Sequence, residues 1–426
     1  MSKLIRRTWP GSGATGLPRR DRRPCSYAAY LPDPLHGRNF VLDGEVAADV
    51  TEAETAIARL NLKAAALSNT EALARLLLRA ESVASSRIEG LEVGGRRLLR
   101  AEVAENLGER SRDVTAEEVL GNIRAMTWSA TEISPGEALS LQQLLNAHRR
   151  LLEGTNMEAQ AGRIRDEQNW IGGSSYNPCS AVFVPPPEDQ VELLLEDLCA
   201  FCNEESLPAV AQAAIAHAQF ETIHPFVDGN GRTGRALTHM VLRRRGLTPR
   251  VLPPVSLVLA TWARDYVDAL MGTRYVGSSS SPEAVEGINR WIGLFAAACK
   301  RAVEDAEQFE ARVRELQDSW RRRVGKVRAN SALDLLIDAL PGAPIVTVNS
   351  AADLISRSFP AASAAVSRLE QTKVLTQVNV GRKNRAFEAT EIVDAFTDLE
   401  RRLASPDRDT RVSPPARRVP ARPRRA

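Results

Sequence analysis

From Thr51 to Asp318 the apolar residues of this chain recur at helical spacing, with few strand-like runs between Ser134 and Asp318. Thr51-x-x-Glu54 has capping-box spacing and opens TEAETAIARLNLKAAAL as a first long helix. Thr70 opens a second, in which Leu73, Leu76, Leu77, Ala80, Ala84 and Ile88 share a face until Gly90 stops it, leaving Glu89 in the last turn. The same periodicity predicts helices over 115–130, 140–153, 188–204, 208–223, 231–245 and 285–318. The fold class is therefore mainly α. One interruption, QNWIGGSSYNPCSAVFVPPP, sets two β-prone runs, Trp170–Ile171 and Val182–Val184, around a Gly/Ser/Asn/Pro centre and predicts a small β-hairpin. Beyond Arg328 the order becomes helix (SALDLLIDAL), short strand (PIVTV), helix capped at Ser350, helix (AASAAVSRLEQ) and a hairpin around Gly381. That is the order of a winged helix-turn-helix.

A chain of 426 residues has room for two or three folded units. No apolar run reaches the roughly 20 residues needed to cross a bilayer, and the basic N-terminus lacks the apolar stretch of a secretory signal. A soluble, cytoplasmic protein without membrane partners is expected. The five cysteines, Cys25, Cys179, Cys199, Cys202 and Cys299, are odd in number and scattered, which argues against a disulfide framework and for a reducing compartment. Cys199 and Cys202 lie in the helical pattern VELLLEDLCAFC and read as core. The net charge of +3 implies no nucleic-acid coat, but Arg and Pro gather at both ends, so residues 1–24 and 404–426 are expected to be disordered.

The densest chemistry lies in His224-Pro-Phe-Val-Asp-Gly-Asn-Gly-Arg-Thr-Gly-Arg235, between two helical patterns. Pro225 disfavours helical geometry at His224 and so presents the imidazole at a turn. Gly229, Asn230 and Gly231 let the backbone approach an anion, and the turn feeds a helix N-terminus whose free N–H groups suit phosphate oxygens. Arg232 and Arg235 share a face of that helix's first turn, Asp228 offers a hard oxygen ligand for Mg²⁺, and His224 can take a proton from an attacking hydroxyl. Together these parts describe phosphoryl or nucleotidyl transfer from a Mg·nucleotide. His217, Glu221 and His224 fall at i, i+4 and i+7, a metal-like spacing, but Pro225 takes His224 out of helical register.

HPFVDGNGRTGR matches in full the pattern H-x-F-x-(D/E)-G-N-G-R-x-x-R, and on it the chain resembles the Fic family. The resemblance implies an all-α catalytic domain that moves AMP from Mg·ATP to a Ser, Thr or Tyr hydroxyl of a protein. By position His224 is the base and Asp228 the Mg²⁺ ligand. Gly229, Asn230, Gly231, Thr233 and Gly234 line the phosphate cradle, and Arg232 and Arg235 bind outer phosphates. Ser85-Ser-Arg-Ile-Glu89-Gly90 resembles the family's inhibitory motif, with Arg235 as the partner of Glu89. RIRDEQNWIGG…AVFVPPP is similar to the family's target-docking flap, with Arg163, Trp170, Ile171, Gly172 and Gly173 in place. Tyr266 stacks on adenine by analogy, or else packs in the core.

The expected layout is a helical region with the inhibitory helix over 25–112, the Fic domain over 113–300, a linking helix over 301–328 and the winged helix over 329–398. Expected partners are a target protein, the chain itself as a self-modification target, and a second copy in a homodimer. Arg368, Lys373, Arg382, Lys383 and Arg385 on the winged helix admit DNA, or that unit docks a protein. Two rival readings are a DNA-binding regulator with an inert Fic domain and an enzyme that mainly removes AMP.

Overall fold

The computed structural model describes residues 1–11, 18–65, 70–109, 113–380 and 384–403. Strand β1 (Lys3–Trp9) pairs antiparallel with β2 (Cys25–Leu31), and the short helix α1 (Arg19–Arg22) lies between them. The expectation of an unstructured terminus over 1–24 is thus corrected for these residues. Their basic side chains mask an alternation in which Ile5, Arg7 and Trp9 are half-buried while Leu4, Arg6 and Thr8 face out. A second correction concerns the cysteines. Cys25 of β2 and Cys179 form a disulfide across a sequence separation of 154, which removes one support for a reducing compartment. Cys199, Cys202 and Cys299 are free and buried, as core cysteines should be.

The helices follow as α2 (Gly44–Ala65), α3 (Thr70–Ile88), α4 (Gly95–Asn106), α5 (Val114–Glu132), α6 (Leu141–Leu152), α7 (Val191–Cys202), α8 (Ala209–Ile223) and α9 (Asn230–Arg244). Then come α10 (Val255–Thr261), α11 (Ala263–Gly272) and the 43-residue α12 (Pro282–Val324). Helix α2 begins upstream of the anticipated capping box, because Val46 and Val50 already fit the apolar spacing and pack into the core. Thr51 lies inside the helix and its hydroxyl donates to the Ala47 carbonyl. α8 is buried on nearly every side and forms the centre of the main core, with α2, α9 and α12 around it. No helix among the described residues is long and apolar enough to cross a membrane.

The C-terminal elements are α13 (Ala332–Ala339), β3 (Ile345–Val346), α14 (Val348–Leu354), α15 (Phe359–Gln371), β4 (Thr376–Val380), β5 (Asn384–Glu388) and α16 (Thr390–Leu403). Their strands form one antiparallel sheet in the order β3-β5-β4. Helix α14 is capped by Thr347, with Ser350 completing the capping box from the third helical position, so the cap stands three residues before its anticipated place. Gly381, Arg382, Lys383 and the tail from 404 lie outside the described residues. A second core joins this C-terminal unit to α3 through Leu76, Ala80 and Ala84 and to α12 through Phe309, Val313, Leu316 and Trp320. Below it, Arg96 and Arg100 of α4 pair with the buried carboxylate of Glu388 on β5.

Candidate active site

Helix α8 ends at Ile223, and His224 takes the left-handed conformation, φ 49° and ψ 61°, at its C-cap. A non-glycine residue there is uncommon and must be held by its surroundings. Arg165, itself buried, does the holding. Its Nε donates to the His224 carbonyl at 3.0 Å and its Nη2 to the Pro186 carbonyl at 2.6 Å, while its backbone N–H donates to the Pro225 carbonyl. The Asn169 amide adds bonds to the carbonyls of His224 and Phe226, both at 3.1 Å. Burial, then the charges of Arg165 and Arg274, lower the His224 pKa to about 4 against a weaker opposing pull from Glu89. The imidazole is therefore neutral at pH 7, as a general base must be.

Gly229, at φ 78°, is the N-cap of α9, and no side chain caps it. The first amides of α9 are thus left for an outside acceptor, the arrangement that suits an anion. Asn230 has a job besides the one anticipated. Its Oδ1 accepts from the Phe226 N–H and its Nδ2 donates to the Phe226 carbonyl, both at 2.8 Å, so the side chain closes the loop and keeps one amide hydrogen for another acceptor. The buried Arg232 meets Asp228 at 3.1 Å through Nη2, while its Nε and Nη1 have no hydrogen-bond partner. Those enclosed donors beside the uncapped helix end are what a nucleotide phosphate would satisfy. Thr233 is buried with its hydroxyl unpartnered.

Arg235 turns the other way, toward α3. Its Nε donates to Ser85 Oγ at 2.9 Å, and its Nη2 donates to the Ser85 carbonyl at 2.8 Å and to Glu89 Oε1 at 2.7 Å. Burial pushes the Glu89 carboxyl up, but Arg235, with Arg232 and His224 beyond it, pulls harder and holds it below the usual range. A Cβ at Gly231 would run into the Glu89 carboxylate, so a larger residue there would have to displace that side chain. Spacing had set Arg232 and Arg235 on one face; the structure gives them separate partners.

The hairpin of 170–184 reduces to one antiparallel bridge, Ile171 with Phe183, and Gly172 and Gly173 both have positive φ. Trp170 packs edge to face on Trp9 at 5.7 Å. The β1–β2 pair buttresses this flap through Cys25–Cys179, through the Tyr30 N–H to the Val184 carbonyl at 2.9 Å, and through Asn177 to Asp21. Arg163 is exposed, so the anchoring arginine of this segment is Arg165. Tyr266 is 3% exposed in the main core, with its hydroxyl 2.7 Å from His217 Nε2 and its ring against Trp291. Of its two readings, the packed one is what the structure shows. Burial, then Arg235, lowers the His217 pKa to about 3, and among the described residues no cluster of three His, Cys, Asp or Glu could hold a metal.

His148 escaped sequence reading. Its ring stacks on Phe226 at 3.6 Å, its Nδ1 accepts from the Gly162 N–H, and its Nε2 therefore donates to the Asp228 carbonyl at 3.0 Å. Glu221, weighed from sequence only for its metal-like spacing, is a buried carboxyl: burial raises its pKa to about 7 against the pull of Arg235, and its Oε1 has no partner.

Residues 138–242 match the model of the Fic/DOC family, and residues 47–131 match that of the Fic/DOC family N-terminal region. Over these two segments the chain carries a Fic/DOC domain and the N-terminal region that accompanies it. It is 36% identical over 180 residues to protein adenylyltransferase fic-1 of Caenorhabditis briggsae, covering 40% of this chain and 32% of that one. Against protein adenylyltransferase fic-1 of Caenorhabditis elegans it is 36% identical over 120 residues, 28% of this chain and 22% of the relative. The chain thus spans a third or less of the curated relatives it matches. A Fic family protein of Desulfovibrio desulfuricans G20 shares the fold, with a TM-score of 0.52 at 21% identity over 84% of this chain and 98% of the other.

Proposed function

We propose that the chain transfers AMP from Mg·ATP to a Ser, Thr or Tyr hydroxyl of a protein, and that Glu89 restrains it through Arg235. The observation that carries this reading is a neutral His224 presented at the end of α8, directly before the uncapped N-terminus of α9 with the unsatisfied donors of Arg232. The target hydroxyl oxygen forms a bond to the α-phosphorus, and the bond from that phosphorus to the bridging oxygen of the β-phosphate breaks. Pyrophosphate leaves with the electron pair, and His224 takes the hydroxyl proton. The α9 amides and Arg232 offset phosphate charge. Asp228 offers a carboxylate at the cradle, which suits a Mg²⁺ that would draw its other oxygens from the nucleotide and water and neutralise phosphate charge. An Arg235 occupied by Ser85 and Glu89 is withheld from the γ-phosphate, which is the basis of the restraint. The flap would fix the acceptor segment by main-chain pairing.

The test is transfer of α-labelled ATP with Mg²⁺, scored as label on protein, including label on the chain itself. Little is expected from the native chain, much from Glu89→Gly and none from Glu89→Gly/His224→Ala. Absence of label from Glu89→Gly with ATP binding intact would overturn AMP transfer and favour AMP removal or another donor.

For 329–398 the helix and strand order with sheet β3-β5-β4 supports a winged helix. Two of its described cations are engaged within the chain, Arg368 with the Val324 carbonyl at 3.0 Å and Arg385 with Gln377 at 2.6 Å. We therefore favour protein docking over DNA binding for this unit. Salt-sensitive retention of the full chain on DNA would reverse that preference.

A further inference from the structure

Glu89 stands in the turn just past α3, one residue beyond the last turn in which the sequence set it, and the helix that leads into it has a second polar contact, buried more deeply than the first and outside the site. Glu81 lies on α3, two turns before Glu89, and is 1% exposed. Its Oε1 meets His239 Nε2 at 2.9 Å and accepts from the Ser256 hydroxyl, and its Oε2 accepts from the Ser256 N–H at 2.7 Å. His239 follows Arg235 by four residues, one turn along α9. The two helices are therefore joined by two polar rungs, Glu81 with His239 and Ser85 with Glu89 on Arg235.

A carboxylate this deep is retained only where hydrogen bonds compensate its lost water, and such bonds are directional. A neighbouring face of α3 offers Leu76, Ala80 and Ala84 to the C-terminal unit. Contacts of that kind are non-directional and tolerate a shift along or around the helix axis. The polar rungs do not. With Glu81 fixed, α3 ends at Ile88, seven residues on and about 10 Å along the axis, and Glu89 follows in the turn at a set height opposite Arg235.

We propose that Glu81, clasped by His239 and Ser256, is the positioning residue that sets the register of α3 and so keeps Glu89 on Arg235; this rests on the restraint read above. It touches neither nucleotide nor acceptor and acts only through Glu89. That restriction gives a readout that a general stabilising role would not move. In the native background Glu81→Ala raises the protein label from α-labelled ATP roughly tenfold, the population shift that follows loss of a charge-assisted bond. In the Glu89→Gly background it leaves the label within about twofold. Ser256→Ala, which keeps the backbone N–H, acts in the same direction more weakly and serves if Glu81→Ala fails to fold. An equal fall in both backgrounds, or an unchanged native label beside a raised Glu89→Gly label, overturns the proposal. If Glu89→Gly gains no label, the restraint itself is refuted, and hydrogen exchange on the full chain decides the register claim. There, amides of 82–91 must exchange at least about tenfold faster in Glu81→Ala than in the native chain, while those of α8 keep their rates. Unchanged exchange over 82–91 overturns it.

Discussion

Asn230 shows how one side chain of a motif can carry a structural job that the motif does not announce. Bonded through both amide atoms to Phe226, it staples the loop, so Asn230→Ala should cost about 2 kcal/mol of stability through two buried hydrogen bonds. Denaturant unfolding measures that loss, and a variant that unfolds like the native chain would return Asn230 to the phosphates. His224 makes a second prediction. Its pKa is lowered to about 4, and a base works only above its pKa, so label transfer by Glu89→Gly should persist as pH falls to about 5 instead of failing near 6.5. Removing Glu89 takes away a pull that raises that pKa, so the variant's acid limb lies no higher. A limb near 6.5 would mean that His224 is more solvated during reaction than in this structure. The turn at His224 and the helix start at Asn230 were legible because their signals lie in one short stretch of sequence. His148 and Arg165 were not, since they serve this turn from 80 and 59 residues away and nothing in their own neighbourhood marks them.

Long helices were the easy elements, because a 3.6-residue period survives in sequence whatever packs against it. The β1–β2 pair was hidden because its stability comes from a partner strand and from Cys179, neither of which a local window contains. Helix α4, absent from the sequence reading, packs Leu98 and Ala101 against α3 and α5 and Leu99 against the C-terminal strands, with Arg96 and Arg100 on Glu388, so its partners lie outside any local window. The disulfide makes a direct prediction. Denatured without reductant, the chain should take up three thiol-alkylating groups, on Cys199, Cys202 and Cys299, and five after reduction. Mass spectrometry counts them. Five adducts in both conditions would remove the covalent tie between the N-terminal strands and the flap. With the tie present, Cys179→Ser should speed proteolytic cleavage within 170–184, since the flap then keeps only its aromatic and hydrogen-bonded contacts with β1 and β2.

Across the whole molecule, α3 belongs to two cores at once. Leu73 and Leu77 lie in the catalytic core, while Leu76, Ala80 and Ala84 lie in the core of the C-terminal unit, and α12 runs through both without a break. Family resemblance places a restraining helix before the catalytic domain, but the sequence does not say that the C-terminal unit packs against its back. That contact joins residues far apart in the chain, and the helical spacing of Leu76, Ala80 and Ala84 marks an apolar face without saying what covers it. It makes the two units one cooperative body, because unfolding either would expose the apolar face of α3 and half of α12. Calorimetry on the full chain should therefore show a single thermal transition. Leu76→Ala, at a site 1% exposed, should lower its stability by about 3 kcal/mol while keeping the transition single. Two resolved transitions would mean that the C-terminal unit melts by itself and that the restraint on Glu89 is set by α9 and α10 alone.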